Sequence, residues 1–146
     1  MKKDWIRKLF EHHELVGEDR GRKAQNATQR ERQFQEGIEG LWADVVAEFE
    51  SAIHSFNEIS PPDGRVTFRQ EQFDFTAKKE KARSPFNILC VRLDVETKQI
   101  LSFQRLNAVY EVKTTADGLH MIRPNGSRID EADLAEEILS ELFLTP

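Results

Sequence analysis

Residues 34–57 carry nine large apolar side chains at helical spacing: Phe34, Ile38, Leu41, Trp42, Val45, Val46, Phe49, Ile53 and Phe56. At 100° per residue they fill an arc of roughly 140°, wide enough for a helix that buries one whole side. A stripe of this size needs a matching apolar surface elsewhere in the chain. "SPPDG" (60–64) ends the helix and opens a turn.

The matching surface is found in the next half, which reads as strands. "NILCVRLDV" alternates, with Leu89, Val91, Leu93 and Val95 in one phase. "ILSFQR" offers Leu101 and Phe103, "AVYEVKT" offers Tyr110 and Val112, and "LHMIR" offers Leu119 and Met121. In "RVTF", Val66 and Phe68 are in one phase, while Phe73 and Phe75 of "FDF" are in the other. That slip predicts a bulge or bend near Gln70–Gln72. "AKKEKARSP" (77–85) reads as a charged loop, and "ADG" (116–118) as a hairpin turn. The complementary phase, with Asp74, Cys90, Arg92, Asp94, Gln104, Glu111, Lys113 and His120, is polar and suits an open sheet face.

The last element has a complete start signal. Asp130 fits the N-cap, Asp133 the third helical position, and Ile129 with Leu134 a hydrophobic staple. Leu134, Ile138 and Leu142 follow as its apolar stripe. The expected fold is therefore α+β: an antiparallel meander of about five strands, one face covered by the long helix and the C-terminal helix. A single domain, 1–146, would contain an N-terminal helical arm (1–21), the long helix (22–59), the sheet (64–124) and the last helix (130–144). "VGEDRG" (16–21) is expected to interrupt the helices. A straight 22–57 helix would be about 54 Å long against a domain of about 30 Å, so it must break near Gly37–Gly40 or overhang. An overhanging arm bearing Trp5 invites exchange with a second copy, hence a homodimer.

Charge is segregated along the chain. Residues 1–33 carry +3, 34–63 carry −7, 64–128 carry +5 and 129–146 carry −6. No run approaches the roughly 20 apolar residues of a membrane span, and the N-terminus lacks the apolar stretch of a secretory signal. The single cysteine, Cys90, allows no internal disulfide and suits a cytoplasmic protein.

Candidate sites were weighed by spacing. "EHHE" (11–14) looks like a metal site, but the positions three and four residues from His12 and His13 are Lys8, Leu9, Phe10, Leu15, Val16 and Gly17, none of them a ligand, so no metal is expected. His54 lies opposite the apolar arc and reads as exposed, while Cys90 reads as a buried structural cysteine. His120 shares the open phase with Glu111, Lys113 and Arg92, where a histidine beside a carboxylate can act as a general base. No nucleophile elbow, phosphate loop or CxxC pattern occurs. "AKKEKARSP" has four bases, but the aromatics of the sheet read as mostly on the buried phase and not beside the bases, which argues against nucleic acid. No cofactor is implied.

These observations favour a non-enzymatic protein-binding module of adaptor, chaperone-like or immunity type. Arg92, Asp94, Glu111, Lys113 and His120 form its candidate patch. A small enzyme or ligand binder around His120 is the alternative, and a nucleic-acid binder through the basic strand region is third.

Overall fold

The computed structural model describes residues 4–105 and 107–146, with side chains from Asn26 onward except at residue 106. Its elements are α1 (Asp4–Ile59), a 3-10 turn (Pro62–Gly64), β1 (Val66–Gln70), β2 (Asp74–Lys79), β3 (Ile88–Asp94), β4 (Gln99–Phe103), β5 (Ala108–Thr115), β6 (Gly118–Ile122), β7 (Arg128–Ile129) and α2 (Glu131–Phe143). The strands form one antiparallel sheet in sequence order, a meander in which every strand pairs with its neighbour in the chain. Both helices cover the same face, so the architecture is α+β.

The sheet has seven strands, not about five. The expected bulge at Gln70–Gln72 is a tight turn, so "RVTF" and "FDF" are two paired strands and the phase slip is simply the hairpin. Strand β2 continues to Lys79, with Ala77 fully buried, so the charged loop starts later than expected. Two residues beyond the "PNG" turn add β7.

Helix α1 is continuous. Neither 16–21 nor Gly37–Gly40 interrupts it. Its 56 residues measure about 84 Å at 1.5 Å per residue, so it overhangs a body about 30 Å across. Side chains 26–33 are all exposed, and burial begins at Phe34. Gly37 marks a close crossing: a Cβ there would meet Leu119 Cδ1 of β6 at 3.0 Å. Gly40 has open space around it and no such reason.

The whole expected stripe of α1 from Phe34 to Ile53 is buried, and Phe56 packs on its edge. Phe75 of β2 is the centre of the contact. Its ring stacks on Trp42 at 5.6 Å and meets Phe49 at 4.7 Å and Phe68 at 5.3 Å. Such pairs add about 0.5–1.5 kcal/mol each beyond burial. Asn57, near the end of α1, donates to Val66 O and accepts from Val66 N, both at 2.8 Å. It occupies part of the free edge of β1 as a partner strand would.

Helix α2 starts as its sequence demands: Asp130 accepts from Asp133 N at 2.7 Å. Leu134, Ile138 and Leu142 are buried, joined by Ala135 and Leu139. Its last turn has no basic residue. Lys79 of β2 supplies the charge instead, donating to Phe143 O at 2.7 Å and Thr145 O at 2.6 Å, where the helix dipole is negative. Phe143 stacks on Phe56 of α1 with centroids 4.1 Å apart.

One strand inverts the expected pattern. In β4, Ile100 and Ser102 face the helices and are buried, while Leu101 and Phe103 face outward. Gln104, assigned above to the open face, instead reaches α2 and donates to Ile138 O at 3.2 Å. The cause is the β3–β4 turn. Asp94 pairs with Gln99 across residues 95–98, which sets Leu93 opposite Ile100 and Val91 opposite Ser102. A loop one residue longer or shorter would reverse the faces. The turn is held by Asp94 Oδ1, which accepts from Glu96 N and Thr97 N, and closes through Lys98 at φ 57°. Phe73 also departs from the buried set, since it lies in the β1–β2 turn.

This assignment predicts that Ile100→Ala lowers the unfolding free energy by about 2–5 kcal/mol in urea titration, and that Leu101→Ala lowers it by less than half as much. The opposite order contradicts the observed phase.

Candidate functional site

The face of the sheet away from the helices is uncovered by any described residue. It is built from alternate residues of each strand, and the pairing register arranges them in rows across the sheet. One row runs Thr76, Cys90, Phe103. The next runs Asp74, Arg92, Leu101, Val109, and the next Asp94, Gln99, Glu111, Ile122. Lys113 and His120 follow as a pair, and at the opposite end Lys78 is opposite Ile88.

All five residues of the expected patch, Arg92, Asp94, Glu111, Lys113 and His120, lie on this face, but they do not converge on one point. Glu111 and Lys113 make an exposed ion pair at 3.6 Å. Asp94 is occupied by the turn amides. Arg92 is exposed between Asp74 and Leu101. His120 is half-buried opposite Lys113, and its buried Nε2 has no hydrogen-bond partner among the described residues. Glu111 is opposite Ile122, not His120. Glu111 and His120 are therefore not cross-strand partners, as a general-base pair between them would require. A hollow of about 330 Å³ beside His120 is lined by Leu41, Arg128, Asp130 and Asp133, with Asp130 already committed as the helix cap.

What sequence reasoning missed is the apolar content of this face. Phe86 is 50% exposed, Ile88 47%, Phe103 39% and Val109 40%. Leu101 and Cys90 fill the space between them, both half-buried. Cys90 is thus on the outer surface and not in the core. Scattered single apolar residues on a surface need no explanation, but a contiguous cluster marks an interaction site. The signal was present in the sequence. Ile100 and Leu101 are adjacent apolar residues, so "ILSF" is ambiguous in phase, and the length of the "VETK" turn resolves it.

The basic residues of the face stand around the cluster. Lys78 is opposite Ile88, Arg92 is opposite Leu101, and the Arg105 guanidinium lies 5.6 Å from the Phe86 ring centre. On the helical side, from Phe34 onward, the exposed charged residues are mainly acidic, including Glu36, Glu39, Asp44, Glu48 and Glu50 of α1 and Asp133, Glu136 and Glu137 of α2. The two sides of the molecule therefore differ in sign.

His54 is exposed and lies 3.1 Å from Glu58 one turn on. His12 and His13 lie outside the residues whose side chains are described. Among the described residues, no group of three or more His, Cys, Asp or Glu is arranged to hold a metal ion. No described helix is long and apolar enough to cross a membrane.

Polar contacts at both ends of the sheet help anchor the helices that leave this face free. Glu31 of α1 is bonded to Lys98 of the β3–β4 turn, and Lys98 Nζ also lies 5.2 Å from the Phe34 ring. The Lys98 hydrogen bond, helped by one from Gln35, holds the Glu31 carboxyl below its usual range. At the other end, Tyr110 donates to Glu137 Oε2 at 3.2 Å, and Arg123 Nε donates to Glu137 Oε1 at 3.3 Å. Burial, reinforced by the neighbouring Glu137 charge, pushes the Tyr110 hydroxyl up to about 12.

No protein-family model, curated protein or solved structure matches this chain.

The Tyr110 shift has a defined sign. The folded value lies above the unfolded one, near 10. The stabilisation is thus fully present below about pH 10 and is lost as pH rises toward 12. The urea midpoint is expected to fall over that window, and to fall less in Tyr110→Phe. An identical alkaline slope in the two proteins contradicts the assignment.

Proposed function

We infer that the protein is a non-enzymatic protein-binding module whose docking surface is the outer face of the sheet. One observation carries this reading: the uncovered face presents Phe86, Ile88, Phe103 and Val109 to solvent as one cluster, ringed by Lys78, Arg92 and Arg105. Burying apolar surface drives association at about 25 cal/mol per Å² before its entropic costs, and charged rims steer encounter and orientation. The segregation of charge between the sheet side and the helical side supports a single oriented docking mode.

The proposal includes a cytoplasmic location, in keeping with a lone unpaired cysteine. It also includes self-association through the overhanging part of α1, whose length far exceeds the body. Light scattering at high micromolar concentration should give about twice the 16.9 kDa chain mass. A monomer there rejects the homodimer and leaves the sheet face in place.

Affinity capture from the native host tests the docking surface. Phe103→Ser, and separately the double reversal Arg92→Glu with Lys113→Glu, should lose the partner that the wild-type chain retains. Glu50→Lys, on the helical side, should keep it. Exposed substitutions of this kind leave the fold intact. Equal recovery by wild type and both sheet-face variants removes this face from the account, and turnover of a substrate that depends on His120 would replace the reading with an enzymatic one.

A further inference from the structure

The outer face also specifies the chemistry of what it binds, on the reading that it is a protein surface. Its centre is apolar. Among the described residues, Lys78, Arg92 and Arg105 around that centre are in no ion pair, and all three are exposed. The carboxylates on the same face are differently placed. Asp94 is engaged with the turn amides, and Glu111 is paired with Lys113. Asp74 alone stands beside the cluster, opposite Arg92. The uncommitted charge around the apolar centre is therefore positive.

We propose that this face binds an acidic amphipathic helix of another protein. Apolar side chains of that helix, spaced i, i+3, i+4 and i+7, seat on Phe86, Ile88, Phe103 and Val109. Carboxylates flanking them reach Lys78, Arg92 and Arg105. A helix is the natural cover for a sheet face because its apolar stripe matches the row spacing, as α1 and α2 demonstrate on the inner side. The acidic helices of a second copy do not supply this ligand, because their stripes, Phe34 to Ile53 and Leu134 to Leu142, are already buried.

A single-stranded nucleic acid is also acidic and stacks on aromatic rings. The face disfavours it because aliphatic Ile88 and Val109, which offer no ring to stack on, share the centre with the two phenylalanines.

The test is fluorescence anisotropy with the full chain and four labelled probes. Three are helical peptides with one Leu/Phe stripe and flanks of Glu, Gln or Lys, and the fourth is a single-stranded RNA oligonucleotide. The Glu peptide should bind about tenfold more tightly than the Gln peptide, as three partly exposed ion pairs would give. Added salt should weaken this advantage. Reversal of the rim with Lys78→Glu, Arg92→Glu and Arg105→Glu should transfer the preference to the Lys peptide. Phe103→Ser and, independently, Val109→Ser should weaken both bound peptides, with circular dichroism unchanged.

Equal binding of the Glu and Gln peptides, still sensitive to Phe103→Ser, overturns the acidic partner and keeps the sheet face as a protein surface. RNA binding without peptide binding overturns both. Binding of the Glu peptide that ignores all three variants, or no binding at high micromolar concentration, also overturns the proposal. Self-association abolished by Phe103→Ser assigns the face to a second copy instead.

Discussion

Phe75 joins the two layers of the molecule. Its ring is fully buried between Trp42 and Phe49 of α1 and Phe68 of the adjoining strand. With α1 seated there, and α2 held by Lys79 at one end and by Tyr110 and Arg123 at the other, the inner face of the sheet is fully occupied. Among the described residues, the outer face and the overhanging part of α1 are left without cover. This follows from packing, since a seven-stranded sheet has two faces and the two described helices cover one.

The character of the outer face depends on a four-residue turn. Residues 95–98 set β4 against β3 so that Ser102 points into the core and Phe103 points out. The opposite phase would have buried Leu101 and Phe103 and turned Ile100 and Ser102 outward, removing Phe103 from the apolar cluster. Placing a serine inside and a phenylalanine outside sacrifices apolar burial on folding. The registers with β3 and β5 impose it, because Leu93 and Tyr110 on the flanking strands are both opposite Ile100. Fold and the composition of the outer face are thus decided by the same local geometry.

The elements with strong periodicity were legible from the residues. The stripe of α1, the cap and stripe of α2, and the inward phase of β3 and β5 all follow from spacing. The rest was hidden for physical reasons. Gly17, Gly21, Gly37 and Gly40 lower helix propensity by about 1 kcal/mol each, which suggests breaks, yet α1 runs through them. At Gly37 the absence of a side chain serves the crossing over Leu119. The site was half legible. The charged residues of the open face were read correctly for β3, β5 and β6, where alternation is clean. The apolar cluster was missed because "ILSF" supports either phase, and turn length, not hydrophobicity, selects between them.

The only cysteine in the chain offers a direct probe of this account. Cys90 is half-buried on the outer face, opposite Phe103, and so lies beneath any ligand seated on the apolar cluster. The decisive measurement is the rate at which iodoacetamide alkylates Cys90, followed by mass spectrometry, with and without a saturating acidic amphipathic peptide. Docking on the outer face predicts that bound peptide slows the reaction several-fold and that the original rate returns when salt releases the peptide. An unchanged alkylation rate while anisotropy reports the peptide fully bound would place the ligand elsewhere and contradict the central claim.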